Sequence, residues 1–311
     1  MKIPPLRQTL LLAALLTGTA TPAHALDILL SNDDGYQSPN IRALYARLKQ
    51  EGHHVVMAAP KRNFSGASAS FEYFAPVDIS RDPQDPNVHI VDSTPAVAAM
   101  YGLDRVFRDK APDLVISGPN IGWNAGYLVN LSGTIGVLEI ALRRGVPAMA
   151  VSADHGEDAP AKVAGIVSAL VTQLQASRKN PAEALLPPGV GLNVNLPRTN
   201  AIRGIMQTVN GDYSPYHMVF VDDMAPHALP GMTLPARPGV VLGDARTQYD
   251  GGAARSEGRE VERGNITISV IGARLDAPAA QGEAVYQRLS GFVAACEGAS
   301  GAVCHHAAPA R

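Results

Sequence analysis

A short apolar run that ends in two adjacent acids is the feature that most constrains the fold of this 311-residue chain. Residues 26–31 (LDILLS) have the character of a parallel strand that is covered by helices on both faces, and residues 32–35 (NDDG) follow directly. Residues 39–50 carry apolar side chains at helical spacing, and residues 54–59 (HVVMAA) predict a second strand. Because a helix connects the two strands, we expect them to be parallel members of one sheet.

The alternation of helices and strands continues to about residue 200. The further predicted helices are 95–103, 134–144 and 160–177, and the further predicted strands are 113–117, 146–151 and 191–196. The sequence therefore predicts an α/β protein with a mostly parallel sheet.

Beyond this point the pattern changes to short alternating stretches with Gly and Pro. Apolar and polar residues alternate from Ile266 to Val270, which predicts a half-buried strand. The charged segment 255–262 (RSEGREVE) is predicted to be a surface loop or a strand edge, and residues 279–296 predict a final helix. We expect an α/β core over 26–200 and a β-rich extension with a C-terminal helix over 201–311, the latter serving oligomerisation.

The first 25 residues have the pattern of an export signal. Lys2 and Arg7 accompany the apolar run of residues 10–16, and residues 23–25 (AHA) match a small-x-small cleavage site. The apolar run is too short to span a bilayer, which needs about 20 residues; a retained N-terminal anchor is the alternative. We expect a periplasmic or secreted protein that is cleaved after Ala25 and then has no membrane attachment.

Charge and cysteine content limit the classes of function. The chain has 26 basic and 28 acidic residues, a formal net charge of −2, and no case for binding a nucleic-acid duplex. Cys296 and Cys304 are its only cysteines, and in an oxidising compartment such a pair predicts a disulfide. His305 and His306 follow, so a Cys/His metal site is the alternative, although four ligands at zinc spacing are absent.

Asp33 and Asp34 are predicted to bind a divalent metal ion. They follow the first strand at the edge of the sheet where ligands bind in open α/β folds. Two adjacent carboxylates at such a place repel each other and lose hydration, and a cation relieves both costs. The alternative is a helix N-cap, which would explain one of the acids but explains two less well.

Two more loops are expected at this edge, residues 60–68 and residues 118–126. Both are rich in glycine, hydroxyl and amide groups, whose backbone N–H groups can bind anions. Neutral oxygens such as the Ser65 hydroxyl and the Asn120 carbonyl suit Mg²⁺ or Mn²⁺. Ordinary turn chemistry is the alternative, and the residues alone do not favour Ser65 over Ser68.

A fourth segment, Ser132-Gly133-Thr134, precedes a predicted helix. Its groups would cradle a phosphate at the helix N-terminus, or Ser132 would only cap the helix. We expect backbone N–H groups and the side chains of Asn124 and Ser132 to hold phosphate oxygens. The residues expected to bind phosphate or substrate are Asn32, Gly66, Gly122, Asn124, Ser132, Gly133 and Thr134.

Five segments together resemble the survival protein SurE family. In order they are ILLSNDDG, APKRNFSGAS, PDLVISGPNIGWNAG, LSGTIG and LNVNLP, which cover about residues 27–197, with a looser match over 257–275. The resemblance implies a metal-dependent phosphatase of nucleoside monophosphates and sometimes polyphosphate. It also implies a Rossmann-like three-layer sandwich, a protruding hairpin and a swapped C-terminal element that makes homodimers or tetramers.

The resemblance also implies roles for individual residues. Asp33 and Asp34 match the metal-binding acids of the family, Ser65 its metal-ligand serine and Asn120 its metal-ligand asparagine. On this basis one Mg²⁺ or Mn²⁺ ion is expected on these four residues, with one of the two acids assisting proton transfer.

Three positions depart from the family pattern, and one of them is Asn40, which replaces a common glycine. Val97 stands where the family has an acid, and Leu131 stands where it has a tyrosine.

The expected function is hydrolysis of 5′- or 3′-nucleoside monophosphates; the alternatives are an exported nucleotide- or phosphate-binding protein without turnover, and a broad acid phosphatase or exopolyphosphatase. Nucleoside N-glycosidases and haloacid-dehalogenase-like phosphatases need differently spaced acids. Trp123 would stack a base or merely cover apolar surface.

Overall fold

The structure, a computed structural model, describes residues 24–228, 232–244, 255–273 and 279–297. The six α-helices of the described residues are α1 (Pro39–Gln50), α2 (Pro95–Tyr101), α3 (Gly133–Arg143), α4 (Pro160–Ala176), α5 (Glu257–Glu262) and α6 (Ala279–Glu297). Their eleven strands are β1 (Asp27–Ser31), β2 (His54–Pro60), β3 (Ile79–Asp82), β4 (Asp85–Val91), β5 (Leu114–Ile121), β6 (Ala148–Ala153), β7 (Val190–Leu196), β8 (Gly204–Thr208), β9 (Tyr216–Val221), β10 (Gly239–Asp244) and β11 (Asn265–Gly272).

Nine strands form one sheet in the order β3-β4-β2-β1-β5-β6-β7-β11-β8. Its six central strands, from β4 to β7 in that order, are parallel. At the two sides β3 is antiparallel to β4, and β11 is antiparallel to β7. Because β1 lies between β2 and β5, the strand order reverses at β1, and a crevice opens there at the carboxyl ends of the strands.

Helices cover both faces of the sheet. Ile28 and Leu30 of β1 belong to the main apolar core, which also includes side chains of α1 and α4. Leu29 points to the opposite face, where its side chain closely approaches Gly102 after α2. The prediction of an α/β three-layer sandwich with a mostly parallel sheet is thus confirmed.

The short strands β3 and β4 are absent from the sequence-based prediction. They are joined by a turn of only two residues, and their segments contain Pro86, Asp82 and Asp85, all of which are rare in strands. The predicted strand at 113–117 continues to Ile121, with an irregularity in its pairing with β6 between Ser117 and Asn120.

The charged segment 255–262 contains a helix, α5, and the prediction of a surface loop or strand edge is wrong. Glu257 is fully buried and Glu260 is nearly so. Charged residues are usually exposed, but they can be buried where the protein supplies hydrogen-bond partners. Here the Glu257 carboxylate accepts hydrogen bonds from Asn193 and Ser269.

The strand predicted around Ile266 to Val270 is confirmed as β11. The expected burial pattern, with apolar side chains buried and polar side chains exposed, is not found. Thr267 and Ser269 are completely buried, whereas Val270 is 65% exposed. The polar face of β11 is covered because α5 packs against this strand and because Ser269 bonds to Glu257. The strands β8 and β11, which follow residue 200, lie in the main sheet; the predicted division at residue 200 stays a prediction.

The strands β9 and β10 form a separate two-stranded antiparallel ribbon. The described chain divides into two compact units, one up to Gly272 and one from Ala273 that contains α6. No helix within the described ranges is long and apolar enough to cross a membrane. The predicted export signal up to residue 23, and the predicted disulfide of Cys296 and Cys304, fall outside the side chains that the structure describes.

Candidate metal and phosphate site

The acid pair lies at the carboxyl end of β1, in the crevice at the reversal of strand order. Asp33 is 2% exposed, and its Oδ1 accepts a 2.7 Å hydrogen bond from the Thr134 hydroxyl. The Oδ2 of Asp34 accepts a 3.0 Å bond from the Ile121 N–H. Helix α1 begins only at Pro39, with Ser38 at its N-cap, so the N-cap alternative for the two acids is excluded.

The pKa of each carboxyl group is raised, and neither group has a positively charged partner among the described residues. Burial raises the pKa of Asp33, against hydrogen bonds from Thr134 and Gly133 that lower it. Burial, and then the charge of Asp33, raise the pKa of Asp34 to about 7. Neither group forms an ion pair with a basic side chain in the described part of the chain. One buried and one partly buried acid without a counter-charge in the described ranges favour the binding of a cation.

Asn120 supplies an oxygen that no hydrogen-bond donor within the described ranges uses. It lies at the end of β5, the strand next to β1. Its amide nitrogen donates a 2.8 Å bond to the Gly122 carbonyl, while its Oδ1 is buried and has no hydrogen-bond partner. A buried unpartnered oxygen costs free energy unless something occupies it.

The loop after β2 is fastened to the acid pair by its backbone. The Phe64 N–H donates a 2.7 Å bond to the carbonyl of Asp33. The next residue, Ser65, is exposed, and its hydroxyl makes no hydrogen bond within the described ranges. By contrast, the Ser68 hydroxyl donates a 2.9 Å bond to the carbonyl of Asn130. The geometry therefore favours Ser65 over Ser68 as a free oxygen, which the residues alone did not do.

These groups fit a hard divalent cation. The described part of the chain holds no group of three His, Cys, Asp or Glu side chains that could hold a metal ion. A cation here would need neutral oxygens besides the acid pair, and the Asn120 carbonyl and the Ser65 hydroxyl are of the kind that Mg²⁺ and Mn²⁺ accept.

The N-terminus of α3 packs directly against Asp33. Ser132 caps the helix, since its Oγ accepts a 3.3 Å bond from the Ile135 N–H. A side chain at Gly133 would place its Cβ 2.8 Å from the Cβ of Asp33, so only glycine allows this close approach. The N–H groups of Gly133 and Thr134 lower the pKa of Asp33 and thus point at its carboxylate. The helix end stabilises the acid by its dipole, while a phosphate role for these residues stays a prediction.

The other residues expected to bind substrate differ in burial and in whether their side chains already form hydrogen bonds within the protein. Asn32 is buried, and its amide donates a 2.9 Å bond to the Gly35 carbonyl. The Asn124 side chain is also buried and donates to the hydroxyls of Thr134 and Ser152. Gly66 and Gly122 have positive φ angles and open space around them. The glycine positions therefore stay accessible, whereas Asn124 braces the site from within.

Two of the residues that depart from the family pattern, Val97 and Leu131, lie near these loops, whereas Asn40 lies in the first turn of α1. Val97 is in the first turn of α2, where its N–H donates to the Thr94 hydroxyl. Leu131 is partly exposed, and its carbonyl accepts a bond from Ser68. The Trp123 indole donates a 2.7 Å bond to the Leu196 carbonyl, and its ring stacks on Tyr216. This arrangement favours the surface-covering interpretation of Trp123 over base stacking.

A buried polar network behind the site was missed by the sequence analysis. Asn193 and Asn195 of β7 both donate to the backbone carbonyl of Asn124. The Asn195 Oδ1 accepts a 2.8 Å bond from the Asn124 N–H. Glu257 of α5 completes the network through Asn193. Amide side chains at alternate positions of the strand predicted at 191–196 (GLNVNL) were the available signal, because buried amides need partners.

The fold and the site together define an α/β protein with two adjacent acids at the point where the strand order of a parallel sheet reverses. Comparison with known sequences identifies the family. The sequence profile of the family described as "Survival protein SurE" matches residues 28–215, and the chain belongs to this family.

Three curated relatives and one solved structure illustrate the similarity. The chain is 34% identical over 201 residues to an acid phosphatase of Yarrowia lipolytica, covering 55% of this chain and 56% of that protein. It is 37% identical over 180 residues to the 5′-nucleotidase SurE of Methanocella arvoryzae (55% of this chain, 66% of that one). The corresponding protein of Aquifex aeolicus is 36% identical over 196 residues (62% and 74%). The crystal structure of the Aquifex aeolicus SurE protein has a TM-score of 0.65 at 27% identity, and the match covers 84% of this chain and 99% of that one.

Proposed function

We propose that this chain is a divalent-metal-dependent phosphomonoesterase that hydrolyses nucleoside monophosphates. The observation that carries the proposal is the buried Oδ1 of Asn120, which has no partner among the described residues and lies next to the acid pair, Asp33 buried and Asp34 partly buried. The printed names of relatives, 5′-nucleotidase and acid phosphatase, support the reaction class. Because the chain spans only 56% and 66% of two of these relatives, the activity is an inference by similarity.

The ligand set that we propose is Asp33, Asp34, Ser65 and Asn120, with Mg²⁺ or Mn²⁺ as the ion. When bound, such an ion polarises a phosphoryl oxygen and lowers the pKa of water. Asp33 is held in place by Thr134 and by the N-terminus of α3. Among the described residues, the Oδ1 of Asp34 accepts a single long bond of 3.4 Å, from Asn63, and we assign this atom to accept a proton from the attacking water.

The phosphate would be held by backbone N–H groups of the glycine-rich loops. Gly66 and Gly122 have positive φ angles and open space beside them, which suits the close approach of an anion to the backbone. Ser132, Asn124 and Asn32 would contribute mainly by fixing these loops. The N-terminal sequence supports export to the periplasm or beyond the cell, as proposed from the cleavage site before Leu26.

A phosphate-release screen tests the proposed function. The protein is assayed with Mg²⁺ or Mn²⁺ on 5′- and 3′-nucleoside monophosphates, p-nitrophenyl phosphate and a short polyphosphate, and both free phosphate and free base are measured. We expect phosphate but no free base, with kcat/KM for the nucleotides at least about tenfold higher than for p-nitrophenyl phosphate. Nucleotide binding without turnover under all conditions would instead identify a binding protein.

We also propose that the chain forms a homodimer or tetramer through the β9–β10 ribbon. Phe220 and Val240 are paired across the ribbon and are 71% and 60% exposed. Such an apolar pair is expected to be covered in an assembly. Light scattering should give a dimer or tetramer for the wild type and a monomer for Phe220→Asp. An unchanged mass for Phe220→Asp, beside a matched Lys162→Asp surface control, would contradict the assignment of this surface.

A further inference from the structure

Glu257 is a buried acid that the proposed chemistry does not use. It lies at the start of α5, is completely buried, and is far along the chain from the residues of the site. Its carboxylate accepts bonds from the Ser269 hydroxyl at 2.6 Å and from the Asn193 amide at 3.0 and 3.1 Å. The N–H of Gly126 is a third donor to it. Among the described residues, the groups that bond to this carboxyl are thus hydrogen-bond donors without charge.

A chain of hydrogen bonds connects Glu257 with Asp33 of the acid pair. The same Asn193 amide donates a 2.8 Å bond to the carbonyl of Asn124. The Asn124 side chain donates to the Thr134 hydroxyl at 3.3 Å, and that hydroxyl donates to Asp33 Oδ1 at 2.7 Å. Three side chains therefore connect Glu257 to Asp33 through continuous contacts.

We propose that Glu257 is a positioning residue, which fixes the Asn124–Gly126 loop and thereby sets the orientation of Asp33 for metal binding. The inference rests on the proposed function, because it assumes that Asp33 is a metal ligand. It adds a residue that lies beyond the segment 28–215 shared with the family profile.

The backbone around Glu257 makes this arrangement stiff. Its N–H donates a 2.9 Å bond to the carbonyl of Val209, which anchors the start of α5. The carbonyl of Tyr213 lies between Gly126 and Gly258, where added Cβ atoms would approach it to 2.5 and 2.3 Å. Because neither glycine can gain a side chain without moving that backbone, α5, Tyr213 and the loop at Gly126 are packed as one layer.

Burial of the Glu257 carboxyl group lowers the stability of the folded state, because no basic side chain in the described ranges compensates its charge. Burial raises the pKa of Glu257 to about 8, although the bonds from Ser269 and Asn193 lower it. A buried acid with a raised pKa disfavours the folded state as the pH rises from about 4.5 to 8, because the unfolded chain ionises first. An apolar residue would avoid this cost, but the Gly126 N–H would lose this acceptor and the Asn193 amide would keep only its bond to the Asn124 carbonyl.

Calorimetric titration of chelator-stripped protein with Mn²⁺ tests the proposal. We compare wild type, Glu257→Gln and Asn193→Ala with a control, Glu260→Gln. Glu260 is a nearly buried acid of the same helix whose partners are Arg263 and Asn265. We expect the Mn²⁺ dissociation constant to rise about tenfold in Glu257→Gln and in Asn193→Ala, as for outer residues that orient metal ligands. Glu260→Gln should lower the melting temperature but leave the dissociation constant within about twofold.

The double variant and the kinetics separate positioning from general damage. If Glu257 acts through Asn193, the double variant should bind Mn²⁺ no more weakly than either single variant. For phosphate release, kcat should fall while the KM for nucleotide stays within about twofold. Should Glu257→Gln fail to fold, Asn193→Ala decides the matter. An unchanged Mn²⁺ affinity in Asn193→Ala and Glu257→Gln would overturn the inference, whereas absence of Mn²⁺ binding in the wild type would overturn the proposed function itself.

Discussion

Asp33→Asn is expected to lower the kcat for phosphate release on the order of 10³-fold, equivalent to about 4 kcal/mol, which is the scale of losing one preorganised electrostatic group. The variant loses the charge that the cation needs. Its fold should survive, because the Asn carbonyl can still accept the 2.7 Å bond from Thr134. Steady-state kinetics at saturating Mn²⁺ measure the effect, and circular dichroism checks the fold.

Asp92→Asn is the matched control for that loss. Asp92 also follows a strand of the parallel sheet, β4, but it forms an ion pair with Lys61 at 2.7 Å outside the acid pair. Exposed pairs of this kind contribute about 0–1 kcal/mol to stability, so the control should keep its kcat within about twofold. Wild-type turnover by Asp33→Asn would refute the assignment of the acid pair.

Asp34→Asn is expected to abolish activity and at the same time to stabilise the metal-free protein. Asp34 is partly buried beside the charge of Asp33, and its pKa in the folded state is about 7 against an ordinary value of 3.8. The variant removes this like charge, and its carbonyl can still accept the bond from Ile121. We expect its melting temperature at pH 8 to exceed that of wild type by about 3–6 °C in the presence of EDTA.

The raised pKa of Asp34 determines how the stability difference between Asp34→Asn and wild type changes with pH. Below pH 3.8 the Asp34 carboxyl is protonated in both folded and unfolded chains, and it costs nothing. Between 3.8 and about 7 only the unfolded chain ionises, so the wild type loses stability as the pH rises. The difference between Asp34→Asn and wild type should therefore grow from pH 4 to pH 7 and then level off. Saturating Mn²⁺ should reverse it, because the ion stabilises only the wild type. A constant difference across this range would contradict the electrostatic account.

Much of the fold was predictable because its signals are local. The apolar runs at 26–31 and 54–59 and the helical spacing at 39–50 fix strand, strand and helix without reference to the rest of the chain. Parallel strands then bring their carboxyl ends to one edge. That rule alone places Asp34 close enough to β5 to accept a bond from Ile121.

The details that escaped prediction depend on contacts between distant segments. Ser65 differs from Ser68 only because the carbonyl of Asn130, far along the chain, engages the second hydroxyl. Glu257 lies in a segment whose charges predicted exposure, and its burial depends on Asn193 and Ser269 of two strands that meet as neighbours only in the folded sheet. Periodicity records which face of an element is apolar, but it cannot record which polar groups will meet there.

Titration of the metal-free enzyme with Mn²⁺, followed at once by calorimetry and by phosphate release from a nucleoside monophosphate, tests the central claim most directly. One ion should bind per chain, activity should appear with the same midpoint as binding, and Asn120→Ala should shift both midpoints together to higher Mn²⁺ concentration. Full phosphate release by the wild type in excess chelator would contradict the account.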